Sequence, residues 1–398
     1  MGHAAIQNEE DAKLGIHRSV LVAALGLLLS LPALLVSSAA TSVATPVQQA
    51  PDTLGAYRYT DLGVLGDPGS GPEGSAAWSI NKAGQVVGAS TTDVFAATHA
   101  FMWQNGQLRD LGVIGNTTVS ASAAYGINNA GDVVGQTNVD PANEPPHAFL
   151  YRNGVMRDLG TGFSQGSFSR AWDINNGWIV GERSRQQSSP VRAFLYRNGR
   201  FRGLGTLGGR SPFRFGTDSI AHAINDRGQI VGTALPPYPP LHGFLWENGV
   251  MRDLGTLGGN SEATMAFAIN NGTQVVGASQ AANGQTHAFL WQDGVMQDLG
   301  TLGGNYSAAY GINIHGQIVG GSRVPNAPFG NAGHAFLREN GQLIDLNDVV
   351  SNLPSNVVLE SARAISDDGR IAGTSCTGFC EPGATAPSHA FLLTPSAR

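Results

Sequence analysis

Residues 287–322 read H-A-F-L-W-Q-D-G-V-M-Q-D-L-G-T-L-G-G-N-Y-S-A-A-Y-G-I-N-I-H-G-Q-I-V-G-G-S, and versions of this stretch make up most of the chain. The His-Ala-Phe triplet stands at His99, His147, His287, His334 and His389, with Arg192 and His242 opening variants. Asp-Leu-Gly occurs at Asp61, Asp110, Asp158, Asp253 and Asp298, and in altered form at Gly203 and Asp345. Ile-Asn-x-x-Gly occurs at Ile80, Ile127, Ile224 and Ile312. It reads as one residue short at Ile174 and Ile269 and as Ile-Ser at Ile365. Each signature has seven copies, about 43 to 55 residues apart, a period that belongs to blades or arrays.

Inside one unit, His99 to Gln104 and Gln107 to Gly112 flank Asn105-Gly106, the dipeptide that most strongly marks a hairpin. Two further short strands, ending in Ile-Asn and beginning at Val-Val-Gly, are joined by an Asn/Gly turn. Four antiparallel strands per repeat is the content of a propeller blade. The phase of the ends selects a ring: Tyr57 to Leu62 is a fourth strand with no third before it, and His389 to Leu393 is a third strand with no fourth after it. Their union closes seven blades. An open solenoid instead needs a cap at each end, and neither end reads as one. The expected fold is therefore all-β, a seven-bladed propeller over residues 57–393, preceded by a linker at 45–56 and followed by a tail at 394–398.

The two-residue turn sets Trp103 opposite Leu108, Phe101 opposite Asp110 and His99 opposite Gly112, so His99 and Asp110 share a face. The same holds for His147 with Asp158, His242 with Asp253, His287 with Asp298 and His334 with Asp345, while ring closure joins His389 to Asp61. Where Arg192 replaces the histidine, Gly203 replaces the aspartate. These pairs read as struts repeated blade by blade. One histidine per blade offers neither a single catalytic dyad nor a shared metal site, and no cofactor is implied.

Charged residues are 13% of the chain, glycine numbers 54 and net charge is -6, a turn-rich composition without the basic stripe of a nucleic-acid binder. Residues 1–44 read as a signal peptide: Lys13, His17 and Arg18 precede an apolar run from Val20 to Val36 and small residues at Ser38-Ala39-Ala40. If uncleaved, the run would serve as a membrane anchor. The expected location is secreted or extracellular, periplasmic or cell-surface placement being the variants, and the expected state a monomer. In an exported chain, Cys376 and Cys380 suggest a local disulfide.

Strand direction puts the hairpin turns on one face of the ring and the longer, varied loops on the other, where function usually sits. Candidate ligand residues are Arg210, Phe213, Arg214 and Tyr238 there, together with Arg363 on a first strand. Two residues before each first-strand isoleucine stand Trp78, Tyr125, Trp172, His222, Phe267, Tyr310 and Arg363. The aromatics suit a core, whereas His222 and Arg363 break the pattern. With Asp218 just upstream, His222 is the place to look for catalysis. The resulting expectation is a non-enzymatic binding module for a polysaccharide or a surface protein. The alternative is a polysaccharide lyase or glycoside hydrolase, for which Asp218, Glu262 and Glu144 are the scattered acids.

The sequence H-A-F followed by L-W-x-x-G-x-M-x-D-L-G-T-L-G-G-N-S and I-N-x-x-G-Q-V-V-G resembles the HAF family of bacterial extracellular repeats over about residues 57–393. The resemblance implies export and a repeat array, and it carries no catalytic residue or cofactor onto this chain.

Overall fold

The computed structural model describes residues 56–67, 74–93, 97–115, 120–139, 145–163, 166–186, 189–209, 218–237, 240–259, 263–325, 333–377 and 388–396. They form seven four-stranded antiparallel sheets, the blades of a propeller. In blade 1 the strands run outward as Ser75–Ile80, Val86–Thr91, Thr98–Gln104 and Gln107–Gly112. Blades 2 to 6 repeat this order through residues 122–160, 168–203, 219–253, 264–298 and 307–345. Blade 7 takes Val357–Ile365, Ile371–Thr377 and Ser388–Pro395 from the C-terminal end and its outer strand, Tyr57–Asp61, from the N-terminal end. Tyr57 pairs with Pro395 and Asp61 with Phe391, so one blade clasps both ends of the ring.

The repeated residues have packing reasons. Phenylalanine of each His-Ala-Phe copy is fully buried: Phe101, Phe149, Phe194, Phe244, Phe289, Phe336 and Phe391 are each 0% exposed. Each sits opposite the glycine of Val-Val-Gly, as Phe101 does Gly88. A methyl group on Gly88 would lie 1.9 Å from the Ala76 carbonyl oxygen and 2.9 Å from the Phe101 ring, so only glycine fits. The asparagines of the hairpin turns adopt left-handed backbone, Asn105 at φ 52° with Gly106 at 82°, which matches the strand twist.

Hydrophobic burial is divided among the joints between blades. Val87, Ala100 and Leu111 of blade 1 pack on Ala124, Ile127, Val133, Phe149 and Tyr151 of blade 2, and equivalent clusters fill the other joints. Each blade buries its apolar faces only against its neighbours, so closure of the ring completes the core.

Two register details correct the sequence reading. In blades 1 and 2 a bulge near the end of the fourth strand pairs Gly112 with Ala100 and Gly160 with Ala148, in place of the histidines. The first turn of blade 5 is also not shortened. Thr273, at φ 61°, occupies the left-handed position held by Gly84 in blade 1, and Gly272 merely precedes it. Blade 3 does shorten, to the two-residue turn Asn176-Gly177.

Candidate ligand-binding site

Every first strand carries a bulge at one position, just after Ala77, Ala124, Ala171, Ala221, Ala266, Ala309 and Ala362. The extra residue at each is a member of the set Trp78, Tyr125, Trp172, His222, Phe267, Tyr310 and Arg363. A bulge turns its residue out of the ladder, and these seven touch in sequence around the axis. Ring centroids are 5.0 Å apart for Trp78–Tyr125, 4.6 Å for Tyr125–Trp172, 6.1 Å for Trp172–His222 and 5.5 Å for both His222–Phe267 and Phe267–Tyr310. Arg363 ends the series with its guanidinium 4.1 Å from the Tyr310 ring centre.

On the turn side of this girdle, the Ile-Asn pairs of six blades, Ile365-Ser366 of blade 7 and several of the side chains that follow line a funnel of about 190 Å³. Its asparagines are consumed by structure. Asn81 Oδ1 accepts from the N–H groups of Ala83 and Gln85, and its Nδ2 donates to Gln85 Oε1 and to the Asn128 carbonyl of the next blade. Asn225, Asn270 and Asn313 repeat the arrangement, each reaching the following blade at 3.0 to 3.1 Å. At the mouth, Lys82 pairs with Asp367 at 3.1 Å. This funnel presents few polar groups that are not already engaged.

The loop face carries the departure from sevenfold repetition. Between blades 6 and 7, a cavity of about 220 Å³ is lined by Tyr306, Tyr310, Gly321, Ser322, Arg323, Gly333, Glu360 and Ser361. The Arg323 guanidinium lies 5.6 Å from the Tyr306 ring centre and its Nη1 donates to Asn305 Oδ1. Arg363 Nε is buried and has no hydrogen-bond partner among the described residues. Burial, then the neighbouring Tyr310, push the Tyr306 hydroxyl up to about 12 against the pull of Arg363 and Arg323. Burial likewise raises the Glu360 carboxyl, and Arg363 opposes it. The equivalent stretch of blade 3 is saturated instead: Arg170 stacks on Trp172, donates to Gln136 Oε1 at 2.6 Å and pairs with Glu182 at 3.0 Å.

Residues 73–207 match a family model described as a protein of unknown function (DUF3466). The match covers the first three blades. No curated protein matches the chain. Among solved structures it is similar to TolB from Acinetobacter baumannii, with TM-score 0.44 and 8% identity over 67% of this chain and 61% of that one. Similar too are the Aleuria aurantia lectin, at 0.39 and 12% over 71% of this chain and 97% of that one, and Pyrococcus horikoshii acylaminoacyl peptidase, at 0.45 and 9% over 82% and 52%. The chain thus spans less than two thirds of TolB and of the peptidase.

Of the residues singled out in the sequence, His222 lies in the girdle between Trp172 and Phe267, and its Nδ1–H donates to the Ala266 carbonyl at 2.8 Å. Burial lowers its pKa and the hydrogen bond to the Ala266 carbonyl opposes the shift. Asp218 is 1% exposed and pairs with Arg192 at 2.9 Å. It therefore replaces the aspartate that blade 3 lacks, and the structure does not join it to His222. Arg210, Phe213, Arg214, Tyr238, Glu144, Glu262, Cys380 and the segment 1–44 lie outside the described residues. Cys376 is buried at the end of the second strand of blade 7.

The histidine struts sit on the rim. His99, His147, His242, His287, His334 and His389 reach Asp110, Asp158, Asp253, Asp298, Asp345 and Asp61 through Nδ1 at 2.8, 3.0, 2.7, 2.8, 2.6 and 2.8 Å. The other oxygen of Asp110 accepts from the Gly112 N–H at 2.6 Å, so the carboxylate also fixes the turn that follows. Burial raises the Asp61, Asp110, Asp158 and Asp345 carboxyls, but hydrogen bonds from histidine and backbone outweigh it and hold all four below the usual range. No group of three or more His, Cys, Asp or Glu able to hold a metal occurs among the described residues.

Sequence reasoning missed Tyr306, Arg323 and Glu360. The signal was available: Tyr306 is the aromatic exception in the Thr-Leu-Gly-Gly-Asn repeat of the fourth-to-first loops, where Ser261 stands in the preceding copy.

Proposed function

We propose that the chain is an exported, non-catalytic propeller that binds glycan in the cleft between blades 6 and 7. The observation carrying this reading is that sevenfold repetition breaks there, on the loop face, in a cavity lined by two tyrosines, one arginine and one acid, with the Arg363 guanidinium set against the Tyr310 ring. Sugar-binding sites need donors and acceptors set against flat apolar surface, and this cleft has both. Export, the Cys376–Cys380 disulfide and membership of the HAF repeats belong to the same proposal, supported by the leader-like segment and the repeat pattern. A surface protein remains the other class of partner, distinguished by the assay below.

The chemistry of the cleft favours binding over turnover. A glycoside hydrolase of the usual kind sets two carboxyl groups roughly 5 to 10 Å apart. Glu360 is the single acid among the described lining residues. A lyase needs a base tuned toward neutrality; burial moves Glu360 that way with Arg363 opposing, while Tyr306 is displaced away from it, to about 12.

The test is a glycan array probed with the full chain and with Tyr306→Ala and Arg323→Ala. Binding that falls at least tenfold in both variants supports the reading. Retention by peptides or proteins alone, or glycan binding indifferent to both substitutions, overturns it. Incubation with bound glycans is expected to release neither reducing ends nor unsaturated products.

A further inference from the structure

We propose that the ligand of this cleft is an acidic sugar, held through its carboxylate by Arg363 with Arg323 as the second cation. The inference rests on the glycan reading above and narrows it to a chemical class.

Three observations carry it. First, Arg363 is the exception in the girdle: six bulge positions hold rings, and the seventh holds a guanidinium stacked on the last ring at 4.1 Å. A side chain that only filled the channel would have been another ring. Second, the stack leaves the guanidinium fork unspent. All five N–H donors lie in the guanidinium plane, so stacking against Tyr310 immobilises the plane while its edge stays free for a bidentate acceptor. Arg363 Nε is buried without a partner among the described residues, and a buried N–H left unpaired is costly, which an incoming carboxylate would repair. Arg170, the other arginine against the girdle, is saturated by Gln136 and Glu182 and offers no such opening. Third, charge is inverted locally. The chain carries net charge -6, yet Arg323 lines this cleft and Arg363 lies against its Tyr310 wall, facing Glu360 as the one carboxyl among the described lining residues. That balance admits one further negative charge, and Glu360 remains to accept hydroxyls of the sugar ring. Tyr306, protonated at any physiological pH, supplies a donor.

The experiment is isothermal titration of the full chain with oligogalacturonate, oligomannuronate and a glucuronate-containing oligosaccharide. Each is paired with its methyl ester, and dextran sulfate serves as a non-carboxylate polyanion. At least one acid is expected to bind at least tenfold more tightly than its ester and than dextran sulfate. Arg363→Gln should abolish that preference, bringing the affinities for acid and ester together. Arg323→Gln should reduce it. Thermal melting within about 2 °C of wild type certifies the fold of each variant, and Arg363→Lys, which keeps the charge but lacks the fork, should recover only part of the preference. Equal affinity for acid and ester overturns the acidic-sugar proposal and leaves the glycan reading standing. Equal affinity for dextran sulfate overturns carboxylate recognition in favour of general anion capture. Binding of neutral glycans alone overturns this proposal, and binding of no glycan overturns both.

Discussion

At the scale of single residues, the repeat is conservative where it packs and inventive where it faces the axis. Phe101 and Gly88 recur as a matched pair because one ring fills the space a second Cβ would need. The position after each bulge residue is small in six blades, as Ser79, Gly126, Ala223, Ala268, Gly311 and Ala364, but is Asp173 in blade 3. Its Oδ2 accepts from the Ile224 N–H of blade 4 at 2.9 Å and its Oδ1 from the Ile174 N–H at 2.8 Å. Burial raises this carboxyl to about 6, and the two backbone hydrogen bonds only partly oppose the rise. Because its folded pKa lies above the unfolded one, the unfolded chain ionises first as pH rises. Asp173 therefore withdraws stability between about pH 4 and pH 6, by up to about 3 kcal/mol. Asp173→Asn keeps one acceptor and removes the titration. Denaturant unfolding at pH 4.5 and pH 8 should show a smaller loss of stability across that interval in the variant; equal losses would show that Asp173 titrates normally. The rim pair His334–Asp345 adds a term with a different window. The hydrogen bond to Asp345 outweighs burial and raises His334, so its contribution is complete below the ordinary histidine pKa and fades as pH climbs through the raised one.

Elements make the joints. In blades 1, 4, 5 and 6 the first turn is a closed hydrogen-bonded unit whose asparagine also reaches the next blade. Asn313 accepts from the His315 and Gln317 N–H groups, and its Nδ2 donates to Gln317 Oε1 at 2.6 Å and to the Ser366 carbonyl at 3.1 Å. At roughly 1 kcal/mol per hydrogen bond, plus the cost of stranding buried backbone N–H groups, Asn313→Ala should lower stability by about 2 to 4 kcal/mol in chemical denaturation. Asn313→Asp, which keeps the acceptor but turns a buried carboxylate oxygen toward Gln317 Oε1 and the Ser366 carbonyl, should cost at least as much. A loss below about 0.5 kcal/mol in the alanine variant would dismiss the asparagine as a structural linchpin. Hairpins of the third and fourth strands were legible because Asn-Gly at a fixed position sets pairing with no outside help, as Trp103 opposite Leu108 shows. The bulge at Leu111 was not, since nothing local tells a ladder to slip where the following Gly112 turns away at φ 79°. The turn at Thr273 misled for a related reason. A β-branched residue at positive φ is a poor inference from sequence, and here hydrogen bonds from Thr273 to Gln229 and from Arg227 to Thr273 help hold it.

At the scale of the whole molecule, the fold was readable and the cleft was not. Number and phase of repeats are one-dimensional facts, and the odd strands at Tyr57 and His389 state the closure directly. A cavity between two blades depends on what Tyr306, Arg323, Glu360 and Arg363 do together, and these residues belong to different strands and loops of blades that are adjacent only once the ring exists. Closure is therefore the condition for both stability and the proposed site. Tyr57 and Tyr59 of the outer strand are 7% and 9% exposed, within the cluster that joins blades 6 and 7. Asn352, from the segment between those blades, accepts from the Tyr59 N–H at 2.7 Å and donates to its carbonyl at 3.0 Å, so the clasp is tied to the joint that bears the cleft. Removing residues 57–61 from the full chain strips five residues of ladder and two buried tyrosines. It should lower the melting temperature by about 10 °C or more, at about 2 to 4 °C for each kcal/mol. A synthetic peptide of residues 56–62 added in trans should recover part of the loss, and glycan binding should return with it. Should the truncated chain melt as the intact one does, the ring would be held by its blade joints alone and the clasp would be an ornament of the topology.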